Sequence, residues 1–127
     1  MIDSYDKFPA KVYSEAVLAP DLEIYKKYFS ESLHNINIAH CLMLSEQGLL
    51  SASDTKLILQ GLVSIDKEKQ YMEVEFDGTF EDLFFLVERE LGQRIDSEVA
   101  GKLHTGRSRN DLEHTMFRLQ LRSRLTE

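Results

Sequence analysis

The chain has 127 residues, of which 43% are hydrophobic and 29% charged, and carries a net charge of −7. This is the composition of one soluble globular domain, neither disordered nor membrane-spanning. The acidic balance argues against nonspecific binding to nucleic acid and against docking on anionic lipid, because both need a broad positive field.

The single cysteine, Cys41, allows no disulfide within the chain and points to a reducing compartment. The N-terminus lacks the apolar core of a secretory signal, and no apolar run approaches the ~18 residues of a membrane span. A cytoplasmic protein is expected.

Residues 1–20 show no clean period and hold both prolines, Pro9 and Pro20, so an extended arm is expected there. Pro20 disfavours helix at Ala19, and Asp21 can cap a helix that begins after it. From Leu22 to Gln47 apolar residues recur every three or four positions: Leu22, Tyr25, Tyr28/Phe29, Leu33, Ile36, Ala39/His40 and Met43. That spacing predicts one long helix with a buried stripe, closed by Gly48. Ser51 starts a second helix with Asp54 three residues on, and Leu57/Ile58, Leu62 and Ile65 form its buried face. Met72, Val74 and Phe76 alternate with Glu73 and Glu75, a pattern that fits a short strand or an extended linker. Thr79 begins a third helix with Asp82 at its third position, and Gly92 ends it. After about fifteen residues without a clear period, a last helix carries Leu112, Met116 and Leu119 on one face and is still running at Leu125. Its lack of a C-cap signal suggests part of a longer helical protein. The fold class is all-α.

One stretch stands apart. Residues 102–111 read "KLHTGRSRND", with Lys102, His104, Arg107 and Arg109 before any acid. Gly106 permits a tight or left-handed bend. Thr105 and Ser108 offer hydroxyls, and the two arginines offer planar forks suited to carboxylate or phosphate. Asn110 and Asp111 can cap the last helix, whose free N–H groups attract anions. An anion site at a helix start fits these residues, and so does a solvated basic loop with an ordinary cap. It is not a nucleotide-binding P-loop, because Gly101-Lys102 is followed by Leu103 instead of Ser or Thr. The four histidines and one cysteine have no metal-ligand spacing.

"AGKLHTGRSRND" at 100–111 resembles the N-terminal signature of the argininosuccinate lyases, within the fumarase/aspartase superfamily. "IAHCLMLSEQGLLS" at 38–51 and "EDLFFLVERELG" at 81–92 are similar to that family's first long helix and to the helix leading into the signature loop. The resemblance covers roughly residues 21–125. It leaves the arm at 1–20 unaccounted for and implies a helical N-terminal lyase domain at 21–111 and the start of a central-bundle helix at 112–127. It also implies β-elimination of an N-substituted succinate, argininosuccinate in the family, to fumarate and an amine. No cofactor is expected. The partners implied are a small-molecule dicarboxylate and further copies in a homotetramer, with no nucleic acid and no membrane.

By the same resemblance Ser108, Arg109 and Asn110 contact substrate, with Arg107 and Thr105 in the same loop. Asn37 stands where the family usually has a substrate-binding Ser, although a packed helical Asn fits the residue as well. His104 is expected to orient the loop; His34 and His40 are given no role. The family's Thr-His segment and the Ser-rich loop bearing its catalytic base lie further along than Asp111, so no catalytic residue is assigned and this chain alone is expected to be inactive. Phe84, Val87, Leu112 and Met116 replace polar residues usual in the family, which leaves the amine half of the substrate open. Two other readings remain: a non-catalytic paralogue that binds a carboxylate or a partner subunit, and an interaction protein whose basic loop is incidental.

Overall fold

The computed structural model describes residues 9–127 and is 78% helical, with no strand among the described residues. In chain order it contains α1 (Lys11–Tyr13), a π-helical turn (Ser14–Leu18), α2 (Ala19–Glu46), α3 (Ala52–Glu68), a 3₁₀ turn (Gln70–Glu73), α4 (Leu83–Arg94), α5 (Ser97–Lys102) and α6 (Arg109–Thr126).

The start of the chain differs from the extended arm expected over 1–20. Residues 1–8 lie outside the described residues, and from Lys11 onward the backbone is helical straight into α2. Pro20 sits in the first turn of α2. It has no N–H to give, and its ring crowds the carbonyl four residues back. The wider turn just before it, where the Ala19 N–H reaches the Ser14 carbonyl, keeps the chain helical past the proline.

At ~1.5 Å per residue, the 28 residues of α2 span about 42 Å. Its end is set by Gly48, which adopts φ 71°. Gly48 N–H donates to Ser45 O and Leu49 N–H to Leu44 O, the pair of bonds that closes a helix through a left-handed residue. Ser51 then caps α3 by accepting from the Asp54 N–H, as the sequence predicts.

The buried stripe of α2 differs from the one read off the sequence. Leu22, Lys26, Leu33, Asn37, Cys41 and Leu44 face inward, while Tyr28 and Met43 are exposed. With Ser32, which accepts from Gln120, three buried residues of the helix are polar and invisible to a hydrophobic period; each is buried with a partner. Lys26 is 2% exposed, and its Nζ donates to Val74 O at 2.5 Å and Met72 O at 3.3 Å and pairs with Glu23 at 2.7 Å. It therefore ties the 70–76 segment to α2. That segment is the 3₁₀ turn followed by extended backbone, not a paired strand. Val74 and Phe76 pack against the core and Glu73 and Glu75 face solvent, but Met72 is exposed, so the alternation holds only over 73–76 and without a neighbouring strand.

α4 begins at Leu83, with Asp82 as its cap accepting from the Phe85 N–H, rather than at Thr79. Asp77 instead holds Thr79 in a tight turn through its N–H and hydroxyl. The helix also runs through Gly92 to Arg94. α5 is not evident in the sequence; Asp96 caps it through the N–H groups of Glu98 and Val99.

α2 packs against α3 and α6, and α4 packs against α3, α5 and α2. The core between them is Leu22, Leu33, Leu44, Ile58, Leu62, Leu83, Leu86, Leu91, Leu103, Leu112 and Met116. Gly61 lets α3 and α4 approach closely, since a Cβ there would stand 2.5 Å from Leu91 Cδ1. This packing brings the middle of α2 under the loop between α5 and α6.

Candidate functional site

Lys102 and Arg109 take most of their acid partners from outside their own helices. Lys102 Nζ donates to Asp54 Oδ2 at 2.7 Å, which holds the Asp54 carboxyl below its usual range and pushes the lysine up. Arg109 lies 3.2 Å from Glu81, 3.6 Å from Glu113 and in contact with Asp82. Its guanidinium also sits 5.1 Å from the Phe85 ring centroid and 5.9 Å from that of Phe84. Because the other oxygen of Asp82 caps α4, this one residue joins the starts of α4 and α6.

Arg107 turns inward. Nη1 donates to Asn37 Oδ1 at 2.8 Å and Nη2 to His104 Nδ1 at 2.8 Å, with the guanidinium 5.8 Å from the Phe84 ring. Burial pulls its pKa down to about 10, partly opposed by the nearby Glu88, and it stays cationic at neutral pH. An arginine can only donate, so Asn37 must present its oxygen and His104 a bare Nδ1. His104 is therefore the neutral tautomer with its proton on Nε2. Burial, together with the charges of Arg107 and His40, lowers its pKa to about 4. The 3.5 Å approach of Nε2 to Glu88 is thus not an ion pair at neutral pH. The His104 ring also packs on Phe84 at 4.7 Å between centroids.

His40, one turn along α2 from Asn37, places Nε2 3.0 Å from the Thr105 carbonyl oxygen and must donate there. Burial is the main cause lowering its pKa, with that bond opposing the shift. Between the two held residues, Thr105 and Arg107, lies Gly106 at φ 67°.

The outer side of the loop is polar and open. Thr105 is exposed, its hydroxyl donating to Lys102 O at 2.8 Å. Ser108 caps α6: its Oγ accepts from the Asp111 N–H at 3.3 Å and donates to Asp111 Oδ2 at 2.9 Å. The cap is therefore Ser108, not Asn110 or Asp111. Asn110 stands exposed in the first turn of α6, where backbone N–H groups lack helical acceptors.

The six sequence-predicted residues thus divide. Thr105, Ser108 and Asn110 share the solvent side of one loop; Arg107 and Asn37 are bonded to each other beneath it; Arg109 lies among three carboxylates. Of the departures from the family pattern, Val87, Leu112 and Met116 are core residues, and Phe84 is the platform for His104 and both arginines. Sequence reasoning missed His40 and the acids Asp54, Asp82, Glu88 and Glu113. Only Asp54 and Asp82, as helix-start residues, carried a local signal.

Over 119 residues the chain is 42% identical to argininosuccinate lyase 2 of Agrobacterium fabrum, a match covering 94% of this chain and 24% of that protein. It is 40% identical over 89 residues to argininosuccinate lyase of Methanocaldococcus jannaschii, covering 70% of this chain and 18% of that protein. The same enzyme of Staphylococcus aureus strain JH9 matches at 40% over 91 residues, covering 72% and 20%.

The chain belongs to the argininosuccinate lyase family. It spans about a quarter or less of the length of the curated relatives it matches. No family-level sequence model matches it. The stretch at 100–111 that resembles the family signature occupies the end of α5, the loop and the first turn of α6. The stretch at 38–51 occupies the second half of α2 and the turn closed by Gly48.

Proposed function

We propose that this chain is the N-terminal portion of a carbon–nitrogen lyase of the argininosuccinate lyase type. The parent enzyme cleaves an N-substituted succinate, argininosuccinate first among candidates, to fumarate and an amine. The 102–111 loop and the first turn of α6 supply the part of the site that holds a succinyl carboxylate. The observation that supports this is that Thr105, Ser108 and Asn110 are all exposed in one short stretch that runs into the start of α6, in a chain whose relatives carry that enzyme name.

In such an elimination a base removes the proton on the carbon next to a carboxylate. The electron pair forms the C=C bond, the C–N bond breaks, and the amine leaves with a proton. The carbanion-like transition state is tolerable only if preplaced donors hold that carboxylate. Asn110 can donate its amide to it, while the Ser108 and Thr105 hydroxyls, whose single protons go to Asp111 Oδ2 and Lys102 O, donate to a ligand only by turning away from those partners. Arg107 and Arg109 act from behind. Because Glu81, Asp82 and Glu113 offset the charge of Arg109, capture of the dianion relies on short-range donors and not on a positive field. The catalytic base is assigned to no residue of this chain, so it binds without turnover. The intact enzyme is a homotetramer that covers the exposed apolar residues Ile24 and Tyr28 on α2 and Phe117, Leu121 and Leu125 on α6.

A second reading is a non-catalytic carboxylate-binding relative. The burial of Val87, Leu112 and Met116, where the family usually carries polar groups, favours it. The test is to titrate the chain with fumarate, following the amide signals of Ser108–Asp111 by NMR, and to assay it for fumarate release from argininosuccinate. Saturable shifts that Asn110→Ala abolishes support both readings. Fumarate release by the chain alone would refute the absence of a catalytic base. Fumarate release by a longer reading frame that continues past Glu127 would decide for the enzyme. No shift at the loop would refute the site.

A further inference from the structure

Resting on that reading of the loop, we propose that Asn37 is a positioning residue that, with His40, clamps the loop from below, and that it does not itself touch the substrate. The resemblance places Asn37 among the substrate contacts. In the structure its side chain is 2% exposed and its oxygen is taken by Arg107. Asn37 and His40 are three residues apart, so they project from one face of α2. That face grips the loop at two points: the Arg107 guanidinium through Asn37, and the Thr105 carbonyl through His40. The grips lie on either side of Gly106, the one residue of the loop in the left-handed region.

The arrangement suits the residue types. A serine at 37, as is usual in the family, is shorter than the amide that reaches Arg107 here. Arg107 is further confined by His104 Nδ1 on its second nitrogen and by the Phe84 ring. With its side chain fixed at both terminal nitrogens, the backbone from Arg107 to Asn110 leaves the clamp in one direction. Ser108 can then cap α6, and Asn110 faces solvent. Asn37 thus acts on the ligand only through Arg107 and the loop.

The test compares Asn37→Ala with Asn37→Asp in the full 127-residue chain, using fumarate as the probe. Alanine removes the acceptor. Aspartate keeps an acceptor for Arg107 but would repel a dianion held at contact distance. Losing the hydrogen bond to a charged group should weaken fumarate binding about tenfold in Asn37→Ala. Asn37→Asp should bind within about threefold of the parent chain. The Arg107 side-chain N–H signals should be slow to exchange in the parent and in Asn37→Asp, and fast in Asn37→Ala. His40→Leu, which removes the second grip, should loosen the amide of Gly106 and weaken binding in the same direction, and it serves as the second variant if either change at 37 unfolds the chain. If Asn37→Asp abolishes binding while Arg107 stays protected, Asn37 contacts the ligand and the proposal fails. It fails equally if Asn37→Ala leaves Arg107 protected and binding unchanged. If the parent chain binds no fumarate but Arg107 follows the expected order across the variants, the clamp stands and the carboxylate-site reading is what fails.

Discussion

Replacing Asp82 tests whether one side chain holds two helix starts together. Its first oxygen accepts from the Phe85 N–H and caps α4; its second pairs with Arg109 at the start of α6. Losing the cap in Asp82→Ala costs about 1 kcal/mol. The ion pair is partly exposed, with side chains 23% and 34% accessible, and Arg109 keeps Glu81 and Glu113 as partners. No charge is left buried and unpaired, so removing this partner adds only about 1 kcal/mol. The total is about 2 kcal/mol. With a urea slope near ~2 kcal/mol per molar, the unfolding midpoint should fall by about 1 M. Asp82→Asn keeps a capping oxygen and loses the charge, so it should recover about half of that. Urea unfolding followed by circular dichroism measures both. A midpoint for Asp82→Ala within about 0.2 M of the parent would refute the dual role, and so would equal midpoints for the two variants.

Other consequences can be measured alongside. The His104 imidazole takes up its proton near pH 6.5 when unfolded but only at about 4 when folded. The unfolded state therefore binds the extra proton, and stability falls as pH drops from 6.5 towards 4, by about 2–3 kcal/mol in all. His104→Asn, whose oxygen can still accept from Arg107, should flatten that slope in urea midpoints taken across the window. Asp54, Glu68 and Asp77 have pKa values lowered chiefly by hydrogen bonds from Lys102, Arg94 and Thr79, and their contribution is lost only as pH falls below the ordinary carboxylate range. Lys26→Met should cost about 2–4 kcal/mol, because it strips the Met72 and Val74 carbonyls of their buried donor and leaves Glu23 alone. Hydrogen exchange should show the 70–76 segment loosening first. Ser108→Ala should cost about 1 kcal/mol through loss of the α6 cap and should disorder the first turn that bears Asn110. Thermal unfolding and the Asn110 amide shift report the two effects separately.

Much of the helical frame is legible in the residues themselves. Gly48 and Ser51 announce the end of α2 and the start of α3, because helix ends are governed by local backbone chemistry. Ile58, Leu62 and Ile65 of α3 and Leu112 and Met116 of α6 are buried at the positions their period marks, whereas Leu57 and Leu119, which the same periods mark, are exposed. The entry to α2 is hidden because a proline in the first turn is compatible with helix, and the π turn that eases it has no pattern of its own. α5 escapes because six residues are too few to show a period. The inward placement of Lys26 and Asn37 depends on partners 48 and 70 residues away in the chain, which no local window contains. The candidate site follows the same division. Its loop is identifiable from ten consecutive residues, but the roles within it are not. Arg107 and Arg109 look alike in sequence and differ only in what α2 and α4 bring to them.

The ion pairs and hydrogen bonds of the loop reach α2, α3, α4 and α6. Local turns hold parts of this segment, but its side chains are fixed by those helices, so its full order depends on their assembly. Its amides should then exchange with solvent by whole-domain opening more than by local fraying. A ligand that prefers the ordered loop would, by mass action, raise the unfolding free energy of the entire chain, and α2 and α3 would register its arrival although neither meets it.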